Sequence, residues 1–387
     1  MSDVRPFQLN VSESELDDLR TRLSRTRWPA RETVADNGQG TKLDTLRHLI
    51  DHWREKYDWR RTEQELNRLG QFQTDIDGVT VHFLHAVSRE PGALPLLMTH
   101  GWPGSVLEFT KVIGPLTDPV AFGGDARDAF HVIAPSMPGF GFSSAPTTTG
   151  WSFERTAAAW ITLMERLGYR HWGLQGGDLG AGVSETIAAR NPAGLVGMHL
   201  NFSTAQPTPE EAADATPEEQ RILADGRDFW TNRSAYAQQQ QTRPQTIGYS
   251  LADSPAGLAA WLYTIFEEGC GTPENALRTF TEDDLIDHFM LYWLPNAGVT
   301  SARTYWELRH GGFAPLATAD NPITVPTGYS QFPGDPVRQS RRWLESRYTD
   351  LVLFREAPRG GHFAALEQPG PLVDDVRATF RSLRPSS

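Results

Sequence analysis

The 387-residue chain carries 36 basic and 48 acidic side chains, a formal net charge of -12. That balance argues against nucleic acid or an anionic membrane surface as partner, since both reward clustered Lys and Arg, while 39% hydrophobic and 10% aromatic content argues against disorder. The single cysteine, Cys270, excludes an intrachain disulfide and any multi-cysteine metal site, and with lysine only at 42, 56 and 111 a Schiff-base enzyme is not indicated.

The opening Met1-Ser2-Asp3-Val4-Arg5-Pro6 lacks a charged segment followed by an apolar run, so no secretory leader is expected. No stretch of 18 apolar residues occurs anywhere, and a soluble, cytoplasmic protein is the expectation. Ser12-x-x-Glu15 is a capping box that opens a helix bearing Leu16, Leu19 and Leu23, which must end before Trp28-Pro29. Leu43, Leu46, Ile50, Trp53 and Tyr57 fall on one face of a second helix, and Thr62 to Leu69 forms a short third. Helices this few, with long connections, cannot enclose a core of their own. Residues 1–70 therefore read as a helical meander strapped onto the rest of the chain.

From residue 72 the period changes to that of strands. Gln71–Ile76 and Val79–His85 flank Asp77-Gly78, a hairpin signal. Apolar runs at Leu94–Thr99, Phe130–Ala134, Trp172–Gln175 and Leu195–Asn201 each end in turn residues, and a helix bearing Trp160, Leu163, Met164 and Leu167 precedes the third. Strands alternating with helices indicate an α/β fold with a mainly parallel sheet. The alternation stops near 203. Thr208-Pro209-Glu210-Glu211 and Thr216-Pro217-Glu218-Glu219 are two helix starts, and residues 206–310 read as helical and aromatic, like a lid over the sheet's carboxyl edge. Strands are expected again at Ile323–Val325 and Leu351–Phe354, then a helix from about Leu372 to Leu383. The core would thus be 71–205 and 311–387.

Gly176-Gly177-Asp178-Leu179-Gly180 has the spacing of a nucleophile elbow, glycine-x-nucleophile-x-glycine, between a strand and a helix beginning near Ala181. Its central residue is Asp, where Ser or Cys is usual. A serine that displaced a group from an sp³ carbon would leave an ether that water cannot readily cleave. A carboxylate leaves an ester, and attack at its carbonyl carbon regenerates the enzyme. The blander reading of Asp178 is a strand-end residue capping the next helix. His100-Gly101-Trp102-Pro103-Gly104-Ser105 comes after a strand where α/β-hydrolases carry an oxyanion loop, so the main-chain N–H groups of Trp102 and Leu179 could meet charge developing on the carboxylate. His100 itself reads as a hydrogen-bonded turn residue. Gly360-Gly361-His362-Phe363 comes after a strand and suits a base, since an ordinary imidazole can take a proton near neutrality. Asp335, in Phe332-Pro333-Gly334-Asp335-Pro336, is the candidate to orient it, with Asp320 and Asp350 near the same strands. The order Asp178, Asp335, His362 is the α/β-hydrolase order of nucleophile, acid and histidine.

With these motifs, and with Arg27-Trp28-Pro29, Pro138-Gly139-Phe140-Gly141-Phe142-Ser143 and the stretch from Gly360 to Pro369, the chain resembles the microsomal-type epoxide hydrolases over nearly its whole length. The resemblance implies an α/β-hydrolase fold, Asp178 as nucleophile, His362 as base and Asp335 as charge-relay acid. It also implies two lid tyrosines, Tyr236 and Tyr305, that donate hydrogen bonds to the epoxide oxygen. A phenol, still protonated at pH 7, suits that task because the alkoxide is a poor leaving group. No cofactor and no metal are implied, and the partner is a small epoxide, met in detoxification or in natural-product synthesis. Many members have Trp after the nucleophile where this chain has Leu179, which bears on pocket shape. Mammalian members also carry a membrane anchor, whereas this chain begins with the meander. A homodimer is one assembly the sequence leaves open.

The nearest chemical rival is a haloalkane dehalogenase, which shares the Asp elbow but needs donors for a departing halide, commonly a Trp at the position of Leu179. A catalytically silent α/β-hydrolase-fold binding protein would have lost one of the three residues. An ordinary serine esterase is disfavoured, since no Gly-x-Ser-x-Gly occurs.

Overall fold

The computed structural model describes residues 4–272, 275–311 and 316–384. The first three residues of the opening segment, and 312–315 and 385–387 of the expected core, lie outside them.

The chain opens with a short edge strand, β1 (Arg5–Pro6), then three helices, α1 (Glu13–Ser24), α2 (Leu43–Glu55) and α3 (Trp59–Leu69). Ser12 caps α1 reciprocally with Glu15, which satisfies two amides that the first helical turn leaves without acceptors. Helix α3 starts at Trp59 and not at Thr62, because the Asp58 side chain accepts the Arg60 N–H and begins the helix one turn earlier. The apolar faces of α1 and α2 do not pack on one another alone.

Next come β2 (Gln71–Ile76), β3 (Val79–Ala86), β4 (Leu94–Thr99), α4 (Thr110–Thr117), β5 (Phe130–Pro135), α5 (Phe153–Arg166), β6 (Trp172–Gly176), α6 (Asp178–Arg190) and β7 (Leu195–Leu200). A helical insertion comes after them: α7 (Pro209–Ala213), α8 (Pro217–Asp228), a π turn at Phe229–Arg233, α9 (Ala235–Thr242), α10 (Pro244–Asp253), α11 (Pro255–Gly269), α12 (Glu282–Trp293) and α13 (Ala297–His310). The chain then returns through β8 (Thr327–Gln331), α14 (Arg341–Glu345), β9 (Leu351–Glu356), α15 (Ala364–Glu367) and α16 (Pro369–Phe380).

One nine-stranded sheet orders these as β1-β2-β3-β5-β4-β6-β7-β8-β9. The first three pairings are antiparallel and the remaining five parallel. Helices α5 and α6 pack together, as do α4 and α16, against the sheet. Strands β4 and β6 are buried along their whole length, which accounts for their mainly apolar character, with Thr99 and Gln175 as buried polar residues near their carboxyl ends. The loops after β4, β6, β8 and β9 all leave the carboxyl edge, where α/β sheets bind ligands.

The N-terminal helices lie mainly on the insertion: α1 touches α11, α2 touches α11 and α12, and α3 touches α12 and β3. Asp287 of α12 lies half-buried among them and accepts from Tyr57 Oη and Thr62 Oγ1, each at 2.5 Å, and from Arg61 at 2.9 Å. No helix among the described residues is long and apolar enough to cross a membrane.

Besides the start of α3, three expected boundaries move by three or more residues. Ile323 makes only an isolated bridge to Tyr348, and the strand is Thr327–Gln331 instead. That segment reads as polar, yet Ser330 and Gln331 are buried with partners, Ser330 donating to Asp375 at 2.6 Å and Gln331 accepting the Gln339 N–H at 2.6 Å. Helix α6 begins at Asp178 itself and not near Ala181, and the last helix is Pro369–Phe380, with proline opening its first turn.

Candidate active site

Strand β6 ends in Gly176, and the next residue but one, Asp178, is the first of α6 with φ of +49°. This left-handed conformation is unfavourable for a residue with a Cβ, by roughly 1–2 kcal/mol. It holds the carboxyl group out at the sheet edge. The turn is tight enough to demand glycine on both sides: a Cβ on Gly176 would lie 2.4 Å from the Gly180 carbonyl oxygen, and one on Gly180 would lie 1.8 Å from that of Thr99.

The loop leaving β4 crosses above this carboxyl group. Trp102 N–H donates to Asp178 Oδ1 at 2.8 Å. Leu179 lies in the first turn of α6, where main-chain N–H groups have no intrahelical acceptor; its side chain forms part of the cavity wall. His100 is buried, its Nδ1 2.9 Å from the Gly101 carbonyl oxygen and its Nε2 3.3 Å from the Met137 amide. Burial pushes its pKa down to about 4, so it is a neutral turn residue.

His362 lies after β9 on a loop tied to the insertion through its own N–H, which donates to Gly269 O at 2.7 Å. Its Nδ1 lies 2.9 Å from Asp335 Oδ2 and its Nε2 lies 3.2 Å from Asp178 Oδ2. Asp335 is 5% exposed, and its other oxygen accepts the Val337 N–H at 2.9 Å. Asp320 and Asp350 are exposed. Phe202 and Phe363 pack edge-on against the imidazole and lock its plane. Burial disfavours the charged ring, but the charge of Asp335 and the hydrogen bonds to Asp178 and Asp335 together raise its pKa well above the ordinary histidine value. The balance favours the charged form of the ring, set between two carboxyl groups.

Tyr236 of α9 and Tyr305 of α13 descend from the insertion onto Trp102. The Trp102 indole stacks on Tyr236 with centroids 5.0 Å apart and meets Tyr305 edge-on at 6.0 Å, while the two phenol rings are themselves 6.0 Å apart. Burial, and secondarily the charge of Asp178, raises the pKa of Tyr236, and burial and the neighbouring Tyr236 raise that of Tyr305. Both remain proton donors. The two hydroxyl-bearing rings, Asp178, His362, Leu179 and Phe202 face a cavity of about 400 Å³ whose other walls are largely apolar. Cys270 does not line it, and burial pushes its thiol up to about 11.

The five side chains expected in the site are thus together. Two further features are not legible in the sequence. The Trp102 indole is a platform for both tyrosines, whereas the motif around it points only to its amide. Glu108, three residues beyond Ser105, brings another carboxyl group close to Asp178 and His362, and its one signal is an acidic residue in the apolar run Val106-Leu107-Glu108-Phe109. Among the described residues no group of three or more His, Cys, Asp or Glu is placed to hold a metal ion. Chemically, the arrangement offers a carboxylate for attack, two acids for a departing oxygen, and a histidine beside the carboxylate.

A family model described as "Epoxide hydrolase N terminus" matches residues 4–109, and one described as "alpha/beta hydrolase fold" matches 95–305. A Stigmatella aurantiaca (strain DW4/3-1) protein named "Putative epoxide hydrolase" is 50% identical over 384 residues, 98% of this chain and 86% of its own length. Epoxide hydrolase 1 of Oryctolagus cuniculus is 33% identical over 398 residues, 96% of this chain and 88% of its own. Among solved structures, juvenile hormone epoxide hydrolase from the silkworm Bombyx mori superposes with a TM-score of 0.90 at 31% identity, covering 99% of this chain and 95% of that one. The Aspergillus niger epoxide hydrolase does so with 0.87 at 30%, covering 98% and 96%.

Proposed function

The chain belongs to the epoxide hydrolases, enzymes of the α/β-hydrolase fold that open epoxides with water, and from that premise we propose that it works through a covalent ester on Asp178. Asp178 Oδ1 is held by the Trp102 amide, which leaves Oδ2 to attack an epoxide carbon on the side opposite its C–O bond. As that bond breaks, Tyr236 and Tyr305 donate to the oxygen and one of them gives it a proton. The tyrosinate is reprotonated at the expense of the His362 imidazolium, so the products of this step are a glycol ester, a hydroxyl group and a neutral imidazole.

The charge balance then favours the second step. The imidazolium owed part of its stability to the Asp178 charge, and esterification removes it. His362 therefore becomes a base when a base is required. It takes a proton from water, the hydroxide adds to Asp178 Cγ, and the negative charge on the ester carbonyl oxygen is met by the Trp102 and Leu179 amides. Collapse expels the glycol oxygen, which recovers the proton from His362 as the diol leaves, and the Asp178 carboxyl group then passes its own proton to His362, restoring the carboxylate and the imidazolium.

The observation that carries this reading is the single Asp178 carboxyl group bonded by the Trp102 amide on one oxygen and by His362, itself held by Asp335, on the other. The apolar walls, with Leu179 among them, suit an epoxide on an apolar skeleton, whether xenobiotic or biosynthetic. The test is a single turnover in heavy-oxygen water with enzyme in excess. The first diol should be unlabelled, with label entering the Asp178 carboxyl group. Labelled diol on the first turnover, or activity in Asp178→Ala, would overturn the mechanism.

A further inference from the structure

A second cavity, of about 20 Å³, lies against Trp102, Asp178 and His362, the three residues that also line the large one. It is bounded by the loop after β4, the end of β6 and the start of α15, and its polar walls include Thr99, Glu108, Gln175 and Asn201. We propose that this cavity houses the water that cleaves the Asp178 ester, with Gln175, Thr99 and Glu108 as the residues that position it; the inference rests on the covalent reading above.

Three independent features point there. The first is size: about 20 Å³ exceeds the roughly 10–15 Å³ that one water requires. The second is an unmet demand for hydrogen bonds. Gln175 and Thr99 are each 1% exposed, and neither Gln175 Oε1 nor Thr99 Oγ1 has a protein partner. The Gln175 amide cannot simply turn over, because its Nε2 donates to Asn201 Oδ1 at 2.8 Å. Buried groups left in this way cost about 1–3 kcal/mol each, and one water bonded to both removes that penalty.

The third is Glu108. Its carboxyl group is folded down onto the Gly104 Cα, so closely that a Cβ at 104 would lie 1.4 Å from Oε1. Glycine at 104 is thus what admits the side chain. Burial above all, with the Asp178 charge adding to it and His362 opposing, pushes Glu108 up to about 8. Near neutrality it is uncharged, so it offers an acceptor oxygen to water without setting a second negative charge beside Asp178.

The location also resolves a traffic problem. Once the ester has formed, the glycol occupies the large cavity, between the carboxyl carbon and solvent. A water already held in the small cavity needs no passage around it. That water gives one proton to His362 Nε2 and directs its other O–H to Gln175 Oε1 or the Glu108 carboxyl group. Its oxygen bonds to Asp178 Cγ, the bond from Cγ to the glycol oxygen breaks, and that oxygen takes the proton from His362.

The experiment separates the two half-reactions in the whole enzyme, with styrene oxide as probe, by rapid quench and intact-protein mass. In Gln175→Leu and in Glu108→Leu, ester formation should stay within about threefold of wild type while ester hydrolysis falls about 10- to 100-fold, so that ester accumulates. Glu108→Gln, which keeps the neutral shape and an acceptor oxygen, should recover most of what Glu108→Leu loses. Thr99→Val, nearly isosteric, tests the same site if a leucine variant does not fold, and should slow hydrolysis selectively. Normal hydrolysis in Gln175→Leu and Thr99→Val, or equal losses in both half-reactions, would overturn the water site. If wild type itself yields no ester and its first-turnover diol carries solvent oxygen, the covalent reading fails instead.

Discussion

Asp335→Asn is the most discriminating change, because the structure dictates how the new amide must sit. Asp335 holds two donors at once, His362 Nδ1–H on Oδ2 and the Val337 N–H on Oδ1, each at 2.9 Å. An asparagine has one oxygen for these two claims. If that oxygen stays on Val337, the NH2 group faces His362 Nδ1, the ring proton moves to Nε2, and the imidazole can no longer accept a proton from water. If the oxygen turns to His362, the NH2 group opposes the Val337 N–H and leaves a buried donor unpaired, at about 1–3 kcal/mol. The first arrangement satisfies both partners and should prevail. Reaching the productive tautomer then costs at least that penalty, a factor of about 5–150, and the imidazolium formed in the step has also lost its nearest charge. The corresponding Asp-to-Asn change in a Ser-His-Asp triad lowers turnover about 10⁴-fold. Ester hydrolysis should therefore slow by about 10²- to 10⁴-fold. Ester formation should suffer much less, since Asp178 and the tyrosines are untouched. Rapid-quench mass spectrometry should find enzyme heavier by one epoxide. Hydrolysis within about fivefold of wild type, below the smallest cost of the wrong tautomer, would refute the tautomer reasoning.

Tyr236→Phe and Tyr305→Phe should each slow ester formation by about 10²- to 10³-fold, the range for removing one donor to a developing oxyanion, with ester hydrolysis little changed; a loss confined to hydrolysis would contradict their assignment. In Asp178→Asn the imidazole loses one of the two carboxylates that raise its pKa, so an NMR titration should show His362 deprotonating at lower pH than in wild type; an unshifted titration would place the cause elsewhere. His199 is buried and neutral, its pKa pushed down to about 3 chiefly by desolvation, with Arg355 adding to the effect. The unfolded chain therefore binds the extra proton below pH 6.5, stability falls on acidification, and from pH 6.5 to 5 this residue alone removes about 2 kcal/mol. The melting temperature of His199→Gln should accordingly drop less than that of wild type over that interval, and parallel curves would refute the assignment.

The features legible in the sequence are those whose determining interactions are local. Asp178 stands out because the glycines at 176, 177 and 180 and the strand before them are contiguous in the chain. The order Asp178, Asp335, His362 is informative because β6, β8 and β9 are parallel, so the loops after them must emerge at one edge. Strand β8 escapes the pattern because buried polar residues look exposed until their partners are known, and those of Ser330 and Gln331 come from Asp375 and Gln339. Glu108 is hidden for the same reason. Its meaning lies in Gly104 beneath it and in Asp178 and His362 near it, and two of those three are far away in sequence. The amphipathic pattern of the N-terminal helices implies that they pack on another part of the chain, but their seat on α12, through Asp287, involves residues more than 220 positions apart.

The same long-range contacts explain why a site split between two layers can hold its geometry. Asp178, Asp335 and the loop after β4 belong to the sheet edge, whereas Tyr236 and Tyr305 hang from the insertion. A displacement of about 1 Å between them would be enough to cost about two orders of magnitude in rate. Three joints oppose such slippage. The phenol rings are packed on Trp102, so the loop after β4 and the two tyrosines share one side chain. The His362 loop is bound to the end of α11 by its main-chain bond to Gly269, by Glu367 accepting the Gly271 N–H at 2.7 Å, and by Phe363 stacked on Phe266 at 4.3 Å. On the outer side, α2 and α3 fasten α12 through Asp287 and through His52 on Asp283 at 2.8 Å. The N-terminal helices do not line the cavity, yet they hold down the layer that carries Tyr236 and Tyr305. This is a physical reason for the segment to accompany the insertion in one chain.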